Sequence, residues 1–436
     1  MKIASISAWQ IFDSRGNPTV ETEVMLEGGI RGRGSAPSGA STGQFEAMEL
    51  RDNDPGRFRG NSVFAAIANV EKIIAPALRG RDVFDQSGLD QTMIELDGTP
   101  NKSRLGANAI LSVSMAAANS AAAARGVPLF ASLEAENGNL LPLPEIQIIG
   151  GGAHANWRTD VQDFLLIAPA ARSFAEVMET THNVYHAAGD ILKERGKFSG
   201  VADEGGYWPE FTTNEEALQF MVEAIQRAGY EPGRDAAISL DIAASDLFDE
   251  KKQTYRFALE DKVFSNEEFA ALLSGWCDRY PILSIEDPMA DTDWDGWQMI
   301  SRELADRLQI IGDDLFATNL QRIESGIRKG VANAVLIKLN QIGTVTETLK
   351  AIQLTQQAGW LPVISARSGE TGDAFITHLA VATNAGQIKA GSFSRGERVA
   401  KWNEVIRIQR ELGARARFIG GNIFQKIRRT NGVLNL

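Results

Sequence analysis

The chain has 436 residues, 44% hydrophobic and 23% charged, with a formal net charge of −12. That length exceeds one ordinary core and predicts two domains of a water-soluble globular protein. The acidic balance argues against nucleic acid as a partner, yet a local Lys/Arg cluster can still face a small anionic substrate.

The first stretch, MKIASISAWQIFDSRG, has no sustained apolar core before Asp13 and Arg15, so it does not read as a signal peptide. Residues 3 to 35 alternate like three strands, with Gly28-Gly29 suited to a hairpin turn, and predict an antiparallel meander. Ser38 to Gly43 follow as a loop of small residues, able to close over an anion or lend an oxygen to a metal. EAMELRDND after it reads as a helix start or a solvated face. Residues 60 to 126 read as helices, one stopping near Pro76 and another, ANAILSVSMAAANSAAAARG, packed closely and ending at Gly126. The meander and helices make an α+β domain over 1–138. The proline-marked NLLPLPEI marks the passage to a second domain over 139–436.

IQIIGGGAHANW and TDVQDFLLIAP are two strand-like runs with no long helix between them, which predicts an antiparallel start. From residue 236 onward, short apolar runs end on polar groups: Asp241, Glu286, Asp313, Lys338, Arg367 with Ser368, and Lys389. Most of these are one strand plus one helix apart. Such units make a parallel sheet, and closure gives a (β/α) barrel whose active face lies at the strands' C-terminal ends. The six positions then share one mouth. No run of about 18 apolar residues occurs, so no membrane span is expected. The single Cys277 excludes an internal disulfide framework and fits a reducing, cytoplasmic compartment.

Asp241, Glu286 and Asp313 are hard oxygen ligands without a partnering Cys or His, which favours Mg²⁺ over Zn²⁺. Lys338 sits among these charges. A cation and a second lysine beside it would lower its pKa and make it a base. Arg367 and Ser368 offer a fork and a hydroxyl for phosphate or carboxylate, and Lys389 a charge for an anionic group. Glu204, in ADEGGYWP beside Tyr207 and Trp208, suits a general acid.

Over nearly its whole length the chain resembles the enolase (phosphopyruvate hydratase) family. The resemblance rests on DSRGNPTVE, PSGASTG, EAMELRD, DGTPNKSRLGANAI, DEGG, SIEDP, GDDLF, IKLNQIGT, RSGET and the Arg395–Arg398 region. It implies an α/β protein with an N-terminal α+β capping domain and a modified (β/α)8 TIM-type barrel with an antiparallel start. It implies Mg²⁺ on Asp241, Glu286 and Asp313, with a second Mg²⁺ reached through Ser41. It further implies Lys338 as base, Glu204 as acid with Asp163 beside it, and substrate contacts from His154, Gln162, Arg367, Ser368, Lys389 and Ser41. The expected reaction is dehydration of 2-phosphoglycerate to phosphoenolpyruvate, with an enolate-like charge spread over metal and lysine. A homodimer or larger homo-oligomer is expected, with neither nucleic acid nor membrane as partner.

Five departures stand out. The family's S-H-R-S-G-E reads Ser365-Ala366-Arg367 here, so a histidine gives way to Ala366. Its Q-E-F reads Gln162-Asp163-Phe164, drawing the carboxylate back by one methylene. Its N-G-G reads Gly150-Gly151-Gly152, its F-A-P after DEGG reads Tyr207-Trp208-Pro209, and its K-T-G carries Ala390 after Lys389. These changes favour a second reading: a divergent relative acting on another phospho- or phosphono-carboxylate, similar to carboxyphosphonoenolpyruvate synthase. A third reading is a non-catalytic binding protein, against which the retained lysine, acid and carboxylates argue.

Overall fold

A computed structural model describes residues 1–40, 43–133 and 138–425. Strands β1 (Ile3–Phe12), β2 (Pro18–Leu26) and β3 (Arg31–Ser35) pair in sequence order as an antiparallel sheet. Helices α1 (Gln86–Asp97) and α2 (Ala107–Arg125) belong to the same half of the chain. The alanine-rich α2 lies against β3 closely enough that a Cβ at Gly32 or Gly34 would fall 2.2 Å from Ser120 N or 2.6 Å from Ala116 N. Small residues on both surfaces therefore permit the contact. Gly126 ends α2 in the left-handed conformation.

The helix stops at Leu78, near Pro76 as the sequence predicts. A π-helical stretch, Val70–Ile74, precedes it, and Pro76 falls in the first turn of the helix that continues to Leu78. The proline falls where the helical ladder changes from π to α, a place where the regular i→i−4 bonding is already interrupted.

Eight strands close a barrel: β4 (Leu143–Gly150), β5 (Asp163–Ile167), β6 (Ala237–Asp241), β7 (Ile282–Glu286), β8 (Gln309–Gly312), β9 (Ala334–Ile337), β10 (Leu361–Ser365) and β11 (Gln387–Ser392). Only β5 is reversed, running antiparallel to both β4 and β6, while the other neighbours are parallel. The absence of a long helix between β4 and β5 leaves no crossover to bring β5 round parallel, so it turns back directly. The antiparallel start and the α/β fold are as the sequence predicts.

The strands are buried on both faces, as β-branched runs between a barrel interior and an outer ring of helices should be. The helices open on capping side chains: Ser173 accepts from Glu176 N, Thr213 from Glu216 N and Thr344 from Glu347 N. The interior is not wholly apolar. Glu145 on β4 accepts from Ser239 Oγ at 2.6 Å and Gln309 Nε2 at 3.1 Å, and burial raises its pKa.

Candidate active site

The strand ends assemble the site. Asp241 closes β6 and Glu286 closes β7, paired in register. Asp313 follows β8, Lys338 follows β9, Arg367 lies just past β10, and Lys389 sits within β11. One cavity is lined by Asp241, Asp313, Lys338, Arg367, Ser368 and Lys389, with His154, Gln162, Asp163 and Glu204 from the first part of the barrel. Ala366 lines it too, and Gly39 and Ala40 reach it from the loop after β3. Glu286 is buried beside the lining, held by Lys389. Ser41 falls outside the described residues.

Lys389 is the hub. Its Nζ lies 2.7 Å from Asp241 Oδ2, 2.8 Å from Glu286 Oε2 and 3.4 Å from Asp163 Oδ2. Burial opposes its charge, but these carboxylates raise its pKa well above the ordinary lysine value. Glu286 is pushed well up, first by burial and then by the Asp241 charge. Burial opposes the Asp163 charge as well, yet Lys389 and then His154 hold that carboxyl well below its usual range. His154 Nδ1 stands 3.7 Å from Asp163 Oδ1. Burial opposes the imidazolium, and Asp163 and Glu204 raise its pKa in spite of it.

Lys338 differs from the expectation of a lowered pKa. Its Nζ donates to Asp313 Oδ2, and that carboxylate outweighs burial and raises the lysine's pKa. Asp313 is correspondingly held low: burial pushes it up, and Lys338 more than offsets this. The two make a mutually stabilising pair, and a cation that took up Asp313's charge would remove the main cause that raises the lysine's pKa.

Arg367 also finds protein partners. Its guanidinium donates to Glu46 at 2.8 and 3.2 Å and to Asn340 Oδ1 at 2.9 Å. Glu46 is thus buried, correcting the solvated-face reading of EAMELRDND at its first residue. Ser368 Oγ accepts from Ala40 N at 2.6 Å, tying the small-residue loop to the mouth.

The carboxylates that approach within 4.8 Å of one another are Asp287, Asp313 and Asp314, a set sharing only Asp313 with the three expected ligands. Asp287 spends its oxygens on the backbone N–H groups of Asp313 at 2.9 Å and Asp314 at 2.7 Å. It is a brace that aims Asp313 into the mouth. Glu286 Oε1 is buried with no hydrogen-bond partner among the described residues, which leaves it an open acceptor. Donors that are all hard oxygens, one of them unspent, fit a divalent cation of the Mg²⁺ type.

Two of the departures lie away from the cavity. Trp208 does not fill the site: its indole packs under Arg158 at 5.0 Å, and its N–H donates to Ser199 O at 2.9 Å. Gly150 faces the methyl of Ala202, which a Cβ would meet at 2.6 Å. Ala390 is not among the lining residues either, so Ala366 and Asp163 are the departures that touch the cavity.

Sequence reasoning missed Asp287 and Asp314, although each adjoins a chosen residue in SIEDP and GDDLF. Arg398 is fully buried and donates to Arg367 O and Ser368 O at 2.6 Å each, fixing the RSGET turn. Its motif was visible, but its bracing role has no local signal.

Reversed β5, clustered carboxylates and two lysines at the mouth, Lys389 buried and Lys338 partly so, define a barrel of the enzyme type whose hard oxygen donors fit a divalent cation. Residues 3–133 match the family model described as enolase, N-terminal domain, and residues 138–427 that described as enolase, C-terminal TIM barrel domain. Enolase 1 of Desulfitobacterium hafniense (strain Y51) is 54% identical over 424 residues, covering 97% of each chain. The chain belongs to the enolase family and is an enolase-type carbon–oxygen lyase.

Proposed function

We propose that the protein carries out the reversible dehydration of 2-phosphoglycerate to phosphoenolpyruvate with Mg²⁺. The observation that carries this reading is the convergence of Lys338 and Glu204 on one cavity with Asp241, Asp313 and Lys389. A base for the carbon beside a carboxylate and an acid for the departing hydroxyl are the two proton-transfer groups this reaction needs.

Asp241, Glu286 and Asp313 would hold the Mg²⁺, with Asp287 bracing Asp313. When bound, the cation supplies charge to oppose the negative charge that develops on the substrate carboxylate. Lys338 removes the proton next to that carboxylate. Glu204 delivers a proton to the hydroxyl as it leaves. Lys389 and His154 supply positive charge at the cavity wall, where the low dielectric strengthens it.

The test is direct. Purified protein with Mg²⁺ and 2-phosphoglycerate should form phosphoenolpyruvate, followed by its ultraviolet absorbance beside a known enolase. Trace turnover by a folded, Mg²⁺-binding protein would overturn the reading.

A second reading, a related phospho- or phosphono-carboxylate as substrate, is favoured by the Ala366 methyl at the cavity wall in place of the family's usual histidine. A substrate panel separates the two: preference for a phosphonate over 2-phosphoglycerate would favour this one.

A further inference from the structure

Gln147 on β4 is fully buried and stands outside the cavity lining. Its amide makes two bonds. Nε2 donates to Asp163 Oδ1, and Oε1 accepts from the Gly206 N–H at 2.8 Å. One side chain thus joins Asp163 on β5 to the loop that carries Glu204.

The slot for this side chain is built by two glycines. The antiparallel register sets Asp163 opposite Gly150, so Gln147 must reach diagonally past that position. A Cβ at Gly150 would lie 3.3 Å from Gln147 Nε2, and one at Gly206 would lie 2.6 Å from Oε1. Gly150 is therefore tied to Gln147.

The Asp163 carboxylate has little else to fix it. Its Oδ2 makes no hydrogen bond among the described residues and sits 3.4 Å from Lys389 Nζ, while Oδ1 stands 3.7 Å from His154. Both are charge contacts of loose geometry, so the Gln147 amide is the bond that sets where this short carboxylate stands.

We infer that Gln147 is a positioning residue, whose long side chain meets the short Asp163 carboxylate and keeps the Glu204 loop in register with it. The role rests on the proposed dehydration. Its physical content is a matched span: shortening residue 147 opens a gap, lengthening residue 163 overfills the slot, and doing both restores the span. A gap of about 1 Å in a reacting constellation costs roughly a hundredfold in rate.

The experiment compares the parent with Gln147→Asn, Asp163→Glu and the double variant, measuring kcat and KM for 2-phosphoglycerate with Mg²⁺, together with Tm. Each single variant should lose roughly 10- to 100-fold in kcat with KM within about threefold, and the double variant should return to within about tenfold of the parent. Retention of kcat within about twofold in Gln147→Asn would overturn the inference, as would losses that simply multiply in the double variant. A parent inactive on 2-phosphoglycerate would sink the functional reading instead. The coupling is then decided by Tm in the same four proteins: a double variant more stable than the summed single effects upholds the matched span, and additivity overturns it.

Discussion

Arg367 and Glu46 form a buried two-point ion pair, at 2.8 and 3.2 Å, that fastens the loop after β3 onto the end of β10. Breaking such a pair from one side is expensive because the surviving charge keeps its desolvation cost. Glu46→Ala should destabilise the protein by about 3–5 kcal/mol in urea unfolding. Joint replacement of Glu46 and Arg367 by apolar residues should cost less than Glu46→Ala alone. A Glu46→Ala loss below about 1 kcal/mol would place the pair among weak surface contacts.

Lys338→Ala should lower turnover by about 10² to 10⁴-fold, the range for a positioned base. Mg²⁺ affinity, read by calorimetry, should hold or tighten, because Asp313 loses the ammonium that competes for it. Preserved turnover would remove Lys338 from the chemistry. Weakened Mg²⁺ binding would show that the lysine's role is structural.

Arg398→Met should strip the donors from the carbonyls of Arg367 and Ser368. Buried acceptors left unpaired cost about 1–3 kcal/mol each, so a clear drop in Tm is expected. Activity should fall along with it, since the same turn presents Ser368 to the loop at Ala40. Arg398→Lys keeps one charged donor and should recover part of both losses. Equal behaviour of the two variants would refute this account.

The Glu404 carboxyl is held down to about 2 by His378 at 3.2 Å, with Arg407 assisting and partial burial opposing. A depressed carboxyl stabilises the fold above its ordinary value of 4.5, and that contribution is lost as pH falls towards about 2. Glu404→Gln should therefore be less stable than the parent at pH 5 to 6, by the order of a partly exposed pair. The gap in Tm should close across the acid window. A gap independent of pH between about 5 and 2 would contradict the pairing.

Much of this was legible along the chain because periodicity is local. Strand-length apolar runs ending on Asp241, Glu286, Asp313 and Lys338 already place carboxylates and a lysine at one end of a barrel. The missing helix before Asp163 already implied the reversed strand. Aromatic bulk in a site-forming motif says nothing of which way a ring turns; Arg158 decides that for Trp208. Glu46 misled because an acidic run reads as a wet surface until its cation, hundreds of residues away, is brought to it.

By itself the sequence determined the family, the order of the elements and the residue types at the strand ends, since each depends on neighbours within a few positions. Only the tertiary structure decided how those charges are shared. Pairing is a matter of a few ångströms between strands distant in sequence. Lys389 becomes the common partner of Asp163, Asp241 and Glu286, Lys338 is paired with Asp313, and Asp287 braces the backbone of Asp313 and Asp314. The same holds for Gln147: its reach to Asp163 exists only because an antiparallel register places Gly150 where a larger residue would block the way.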